Sequence, residues 1–99
     1  MLRVTFQDGP SDSTTVKLEG RLVGKFAKAA RTAMACRKHA GKLVVDLSDV
    51  IYVDSLGEEV LFWLRKIGAG FLAGNCYSRF VCESLHLPIA TDPVGLRSN

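Results

Sequence analysis

The chain has 99 residues, of which 47% are hydrophobic and 23% are charged, and its net charge is +3. This composition predicts one globular domain spanning residues 1–99, with a core over about 2–87 and a C-terminal tail over 88–99. The basic residues are spread along the chain, so the dense basic stripe of a nucleic-acid-binding protein is excluded. Because the sequence has neither a membrane-spanning apolar run nor a signal-peptide pattern, we expect a cytoplasmic protein without membrane insertion.

The cysteines favour neither a metal site nor a disulfide framework. Cys36, Cys76 and Cys82 are odd in number, and none belongs to a C-x-x-C pair or lies near a histidine at zinc-finger spacing. Free cysteine behaves as a small hydrophobe, which predicts reduced and mostly buried thiols. We expect no metal and no cofactor.

The first elements predict a β-hairpin followed by a helix. Leu2–Phe6 alternates apolar and polar residues, turn formers fill 7–13, and the alternation resumes over 14–19 until Gly20 ends it. Helical spacing begins near Val23, with a glycine-containing stop predicted at 39–41. The apolar positions of this helix are Val23, Phe26, Ala27, Ala30, Ala33 and Met34.

The second half of the chain predicts a central strand and two more helices. Leu43–Leu47 is a short apolar run typical of a central strand, with a turn at Ser48–Asp49 and a second brief β segment after it. A second helix follows from Ser55, then a weak strand at 71–73 and a third helix that ends by Pro88. In the last two helices, the side chains expected to face the core are those of Leu56, Val60, Leu61, Leu64, Ile67, Phe80, Val81, Leu85 and Leu87. The order ββαβαβα predicts an α/β domain with a small mixed sheet and helices packed mainly on one side.

The run Leu43–Gly57, LVVDLSDVIYVDSLG, resembles the signature of STAS domains, the family of bacterial anti-sigma-factor antagonists. Gly20 and its spacing to this run fit the same pattern, and the resemblance extends over about 2–87. It implies a STAS-like fold and a non-enzymatic role in signalling and transcription regulation. The D-S-x-G turn would bind an anti-sigma factor that is also a kinase, a protein partner.

The resemblance also implies a switch, in which phosphorylation of Ser55 releases the partner. The partner-binding residues that we expect are Asp54, Ser55, Leu56, Gly57, Glu59 and Trp63. Leu56 departs from the family pattern, which commonly has a second hydroxyl residue there. Glu58 and Glu59 also depart, because that pattern usually has small or apolar residues after the glycine.

Ser55 has a second interpretation from the residues alone. Ser55–Glu58 reads S-x-x-E, a capping box in which the serine side chain accepts a hydrogen bond from a helix N–H. A protein in which Ser55 is only a helix cap could be a STAS accessory subunit of another assembly, such as an ABC-transporter ATPase complex. Both functions remain open on the sequence.

Two aromatic residues fall on or near the outer side of the second helix. Phe62 adjoins the apolar stripe and is expected to be tucked in, whereas Trp63 is expected outside, where it could contact a partner or form a homodimer. A hydrolase using Ser55 or a cysteine with His39 or His86 is disfavoured, because no G-x-S-x-G elbow is present. Without a Walker-type loop, a nucleotide site is not expected either.

Overall fold

A computed structural model of the chain describes residues 1–9, 12–36 and 41–90. These residues form four strands and three helices in the predicted order. The elements are β1 (Leu2–Asp8), β2 (Thr14–Leu22), α1 (Gly24–Cys36), β3 (Leu43–Val53), α2 (Ser55–Lys66), β4 (Gly70–Leu72) and α3 (Cys76–Ser84).

The strands form one mixed sheet in the order β1-β2-β3-β4. β1 and β2 are antiparallel, with Leu2 opposite Gly20 and Asp8 opposite Thr14, so the predicted hairpin is confirmed. β3 is parallel to both β2 and β4. The helices α1 and α2 provide the crossovers that parallel neighbours require, and the predicted α/β fold with a small mixed sheet is confirmed.

Burial alternates along the inner strands, which places the core on one face of the sheet. In β2 the buried residues alternate with partly exposed ones, and the first half of β3 shows the same pattern. The helices contribute the opposing layer of the core. Its central side chains are Val16, Leu18, Leu22, Ala27, Ala30, Met34, Val45, Leu47, Val50, Val60, Leu61, Leu64 and Phe71.

Both inner strands are longer than predicted. β2 continues past Gly20 to Leu22, and β3 is a single strand of 11 residues, so the predicted turn at Ser48–Asp49 is wrong. The β2–β3 register has two irregularities, one on either side of the consecutive pairs Glu19–Asp49 and Gly20–Val50. In addition, Lys17 Nζ lies 3.0 Å from Asp49 Oδ2, an exposed ion pair across the two strands.

Several side chains of α2 and α3 lie opposite to the predicted direction. Ile67 is 51% exposed and Phe80 is 64% exposed, although both were expected inside. In α3 the inward position is taken by Ser78, which forms a capping box with Asn75, so Phe80 projects outward. Cys36 and Cys76 are exposed and only Cys82 is buried, which corrects the expectation of mostly buried thiols.

The region after α3 extends the sheet rather than leaving it. Phe71 N donates to Pro88 O at 2.9 Å, and Ala90 N donates to Phe71 O at 2.7 Å. Segment 88–90 therefore covers the outer edge of β4. The predicted first-helix stop at His39 and Ala40, and the predicted tail from Thr91 to Asn99, lie outside the described residues.

Candidate functional site

The DSLG turn (Asp54–Gly57) lies where the two central parallel strands end. β2 and β3 remain paired to their last residues, with Arg21 beside Tyr52 and Leu22 beside Val53. Asp54 N then donates to Leu22 O at 3.4 Å. The start of α2 is thereby held against the junction between β2 and α1.

Asp54 caps both helices that begin at this edge. Its Oδ1 accepts a hydrogen bond from Gly57 N at 2.8 Å, and its Oδ2 accepts one from Gly24 N, the first residue of α1, at 3.0 Å. The positive ends of both helix dipoles thus meet at one carboxylate, which they stabilise. A single side chain fixes the relative position of the two N-termini.

The predicted Ser55 capping box is therefore wrong. Asp54 is the N-cap, with the extended backbone that this position requires, and Ser55 is the first residue inside α2. Aspartate and serine are about equally good caps. Asp54 is favoured here because its second oxygen also accepts a hydrogen bond from Gly24 N. A serine hydroxyl at position 55 has no second oxygen for that contact.

Gly57 is needed because α2 begins in contact with β2. The residue is buried, and a Cβ atom there would collide with Leu22 O and lie 2.8 Å from Val53 Cγ1. Asp54 and Gly57 are consequently the structural parts of the motif. They fix the backbone on either side of Ser55.

Ser55 is exposed, and its hydroxyl makes no hydrogen bond to any residue that the structure describes. Leu56, which replaces the second hydroxyl residue of the family pattern, is partly buried and packs against the core. Ser55 is therefore the only hydroxyl within the turn. Positions 59, 62 and 66 follow at helical spacing, and all are exposed on the same stripe of α2.

The two aromatic residues of α2 exchange their predicted positions. Phe62 is 42% exposed, whereas Trp63 is partly buried against the core. The guanidinium of Arg31, from α1, lies 5.0 Å from the centre of the Trp63 ring. Trp63 thus belongs to the α1–α2 contact, which removes the exposed position on which the homodimer was based; its partner-binding role stays a prediction.

The sequence patterns did not predict a hollow at the ends of β2 and β3, near the turn. Arg21, Ile51 and Tyr52 line a concavity of about 330 Å³, and the two hydrophobic side chains are 63% and 52% exposed, respectively. The signal was the second β segment, whose pairing with the end of β2 places Arg21 next to Tyr52. A turn at Ser48–Asp49 would separate the second β segment from the central strand, so that pairing was not predicted.

Charges around the turn are mainly acidic on the α2 side. Glu58 and Glu59 are exposed, and neither forms a salt bridge within the described part of the chain. His86 is also exposed and makes no side-chain contact with Ser55 there, and His39 lies outside that part. Across residues 1–9, 12–36 and 41–90, no three His, Cys, Asp or Glu side chains are grouped for metal binding, and no helix could cross a bilayer.

No protein-family model matches the sequence, and no curated protein sequence matches it significantly. Solved structures do match the fold. The structure described as the anti-sigma factor antagonist SpoIIAA in its unphosphorylated form aligns with a TM-score of 0.68 at 12% identity, covering 95% of this chain and 93% of that one. The chain has the STAS-domain fold.

A second STAS structure agrees over a shorter range. The STAS domain of an anti-sigma-factor antagonist from Rhodobacter sphaeroides aligns with a TM-score of 0.59 at 20% identity, covering 74% of this chain and 86% of that chain. At these identities the similarity concerns the fold. The STAS resemblance read from Leu43–Gly57 is thereby confirmed at the level of architecture.

Proposed function

We propose that this STAS domain is a non-enzymatic, cytoplasmic regulator of transcription in the manner of a bacterial anti-sigma-factor antagonist. It binds an anti-sigma factor with kinase activity through the DSLG turn and the outer stripe of α2. Phosphorylation of Ser55 by that partner ends the interaction. The fold shared with two anti-sigma-factor antagonists supports this class of function.

The observation that carries the proposal is the state of the Ser55 hydroxyl. Asp54 performs the capping, so the hydroxyl is exposed at the first position of α2 and free to enter a kinase active site. The backbone around it is fixed by the two hydrogen bonds of Asp54 and by the close approach of Gly57 to β2. A kinase would meet a rigid, preformed acceptor.

A phosphate on Ser55 would alter binding more than it alters folding. It adds about two negative charges to a turn that already carries Asp54, Glu58 and Glu59. Each glutamate, three or four residues along the helix, would repel the phosphate by about 1 kcal/mol in water, while the helix dipole returns about 0.3–1 kcal/mol. The domain stays folded, but its partner meets a strongly anionic surface.

Glu58 and Glu59 make the difference between the unmodified and the phosphorylated protein an electrostatic one. In the unmodified protein the turn carries only the moderate negative charge of these carboxylates. After phosphorylation, carboxylates of the partner near Ser55 are repelled by several charges at once. Leu56 contributes no second acceptor because its side chain packs inward.

The alternative function, an accessory subunit of another ATPase assembly such as an ABC transporter, was tied to Ser55 acting only as a helix cap. Asp54 occupies that position instead. An exposed hydroxyl without a structural task favours the phosphorylated switch. We therefore retain the anti-sigma-factor partner as the proposal.

The test is a comparison of tagged wild type with Ser55→Ala and Ser55→Glu in cells of the native host. We expect an ATP-binding kinase to be recovered with wild type and with Ser55→Ala, and to be lost with Ser55→Glu. The purified kinase should transfer phosphate from ATP to wild type and not to Ser55→Ala. Failure to recover any such kinase, or equal recovery with Ser55→Glu, would contradict the proposal.

Ser84 supplies the matched control. It is an exposed serine at the far end of a helix, so Ser84→Glu adds the same charge at a different place. Binding of the kinase to Ser84→Glu should equal its binding to wild type. A loss with Ser84→Glu would mean that net charge, rather than the DSLG turn, controls binding.

A further inference from the structure

We propose that the concavity lined by Arg21, Ile51 and Tyr52 is a second contact region for the same partner, and that it receives an apolar side chain flanked by a carboxylate. This inference rests on the proposed function. It names a surface and a chemistry that the DSLG turn does not supply. The concavity is shallow and measures about 330 Å³.

The exposed side chains of the concavity have the composition of a binding hot spot. Ile51 is 63% exposed and Tyr52 is 52% exposed, although they are neighbours at the end of a central strand. Tyrosine and arginine are the residue types enriched at energetically dominant positions of protein interfaces. The hollow therefore offers apolar area together with two hydrogen-bonding groups.

Arg21 gives the concavity its charge preference. Its side chain is exposed and forms no salt bridge within the described part of the chain. A guanidinium binds a carboxylate through two parallel hydrogen bonds, which a lysine cannot reproduce. The expected occupant is an aliphatic or aromatic side chain with an aspartate or glutamate next to it.

The concavity and the DSLG turn can be covered by one partner. Tyr52 precedes Ser55 by three residues, so their Cα atoms are at most about 11 Å apart. A standard interface buries about 800 Å² on each partner, which corresponds to a disc of roughly 16 Å radius. A disc of that radius centred on Ser55 reaches Tyr52, and the hydrogen bond from Asp54 N to Leu22 O links the start of α2 to the end of β2 beside Arg21.

A second hollow on the domain contains an arginine together with an acidic side chain, so its charges are balanced. Ala73, Arg79, Glu83 and Ile89 line a concavity of about 260 Å³ beside α3 and β4. There Glu83 offers the opposite charge to Arg79 within the same hollow. Because β4 pairs with residues 44–46, this hollow lies toward the opposite end of β3 from Tyr52, and it serves as the matched control.

The experiment uses the kinase that is recovered with the wild-type domain and then purified. Calorimetry measures the dissociation constant of this kinase for wild type and for four variants of the domain. Arg21→Glu and Tyr52→Ser should each weaken binding at least about tenfold, because they remove the charge and the apolar wall of the concavity. Arg79→Glu and Ile89→Ser should stay within about twofold of wild type. Urea unfolding of each variant verifies the fold, and Arg21→Gln replaces any variant that fails to fold.

The outcomes separate this inference from the proposed function. Unchanged affinity for both Arg21→Glu and Tyr52→Ser, or an equal loss in the control variants, overturns the inference while the DSLG turn remains the binding site. If the concavity variants instead abolish self-association of the pure domain and leave kinase binding unchanged, the occupant is a second copy and the inference is overturned. If wild type recovers no kinase, both proposals are overturned.

Discussion

Replacing Asp54 with alanine tests the assignment of the helix cap. The change removes an N-cap, which costs about 1 kcal/mol of unfolding free energy. It also removes the acceptor of Gly24 N, a hydrogen bond to a charged group worth about 1.5 kcal/mol when the group is only partly buried. The expected loss is about 2.5 kcal/mol, which lowers the melting temperature of a domain this size by roughly 10–20 °C.

Two further variants make this prediction specific. Asp54→Asn keeps a carbonyl oxygen for Gly57 N but turns an amide donor toward Gly24 N, so it should cost about half as much as alanine. Ser55→Ala removes an exposed hydroxyl that makes no hydrogen bond to a described residue. It should change the free energy of unfolding by less than about 0.5 kcal/mol.

The assay is equilibrium unfolding in urea, followed by far-ultraviolet circular dichroism and by the fluorescence of Trp63. Trp63 is the only tryptophan in the chain, and it is partly buried at the α1–α2 contact that Asp54 helps to position. Equal slopes with denaturant would show that the variants differ in stability alone. The reasoning is refuted if Ser55→Ala destabilises the domain as much as Asp54→Ala does.

Three other predictions concern the surroundings of the turn. Gly57→Ala forces a Cβ into Leu22 O, so we expect a loss of about 3 kcal/mol or more in the same urea assay, and a near-neutral result would contradict the packing. Arg31→Ala removes the cation over the Trp63 ring and should cost about 0.5–1 kcal/mol with a change in tryptophan emission, which a purely solvated arginine would not produce. Burial raises the pKa of the Cys82 thiol, so alkylation at pH 8 should modify the two exposed cysteines quickly and Cys82 slowly; equal rates for all three thiols would refute the assignment.

Local sequence patterns were sufficient for the elements that local interactions determine. The alternation over Leu2–Phe6 predicted the hairpin, and the apolar run Leu43–Leu47 predicted an inner strand of the sheet. The D-S-x-G motif predicted the junction between β3 and α2, because a strand that ends at the start of a helix is encoded within a few residues.

Contacts between distant residues decided the features that the sequence did not predict. The choice of Asp54 over Ser55 as cap depends on Gly24, which is 30 residues away. Asp49 stays within β3, where it pairs with Glu19 of β2, although serine and aspartate favour turns locally. None of these partners is visible in a local window.

The same explanation holds for the exchange of the two aromatic residues in α2. Helical spacing placed Phe62 and Trp63 one position apart near the edge of the apolar stripe, where it could not decide which side chain packs inward. The position of α1, with Arg31 over the indole ring, partly buries Trp63, whereas Phe62 is exposed.

The most direct measurement is mapping of phosphate on the protein isolated from its own host under several growth conditions. Trypsin should release a peptide spanning residues 43–65, which contains Ser48 as well as Ser55, so fragmentation within it identifies the modified residue. Ser48 is partly buried and serves as the internal control. We expect phosphate on Ser55 alone in a fraction of the molecules that changes with growth condition; Ser55 that is unmodified in every condition would contradict the phosphorylation switch.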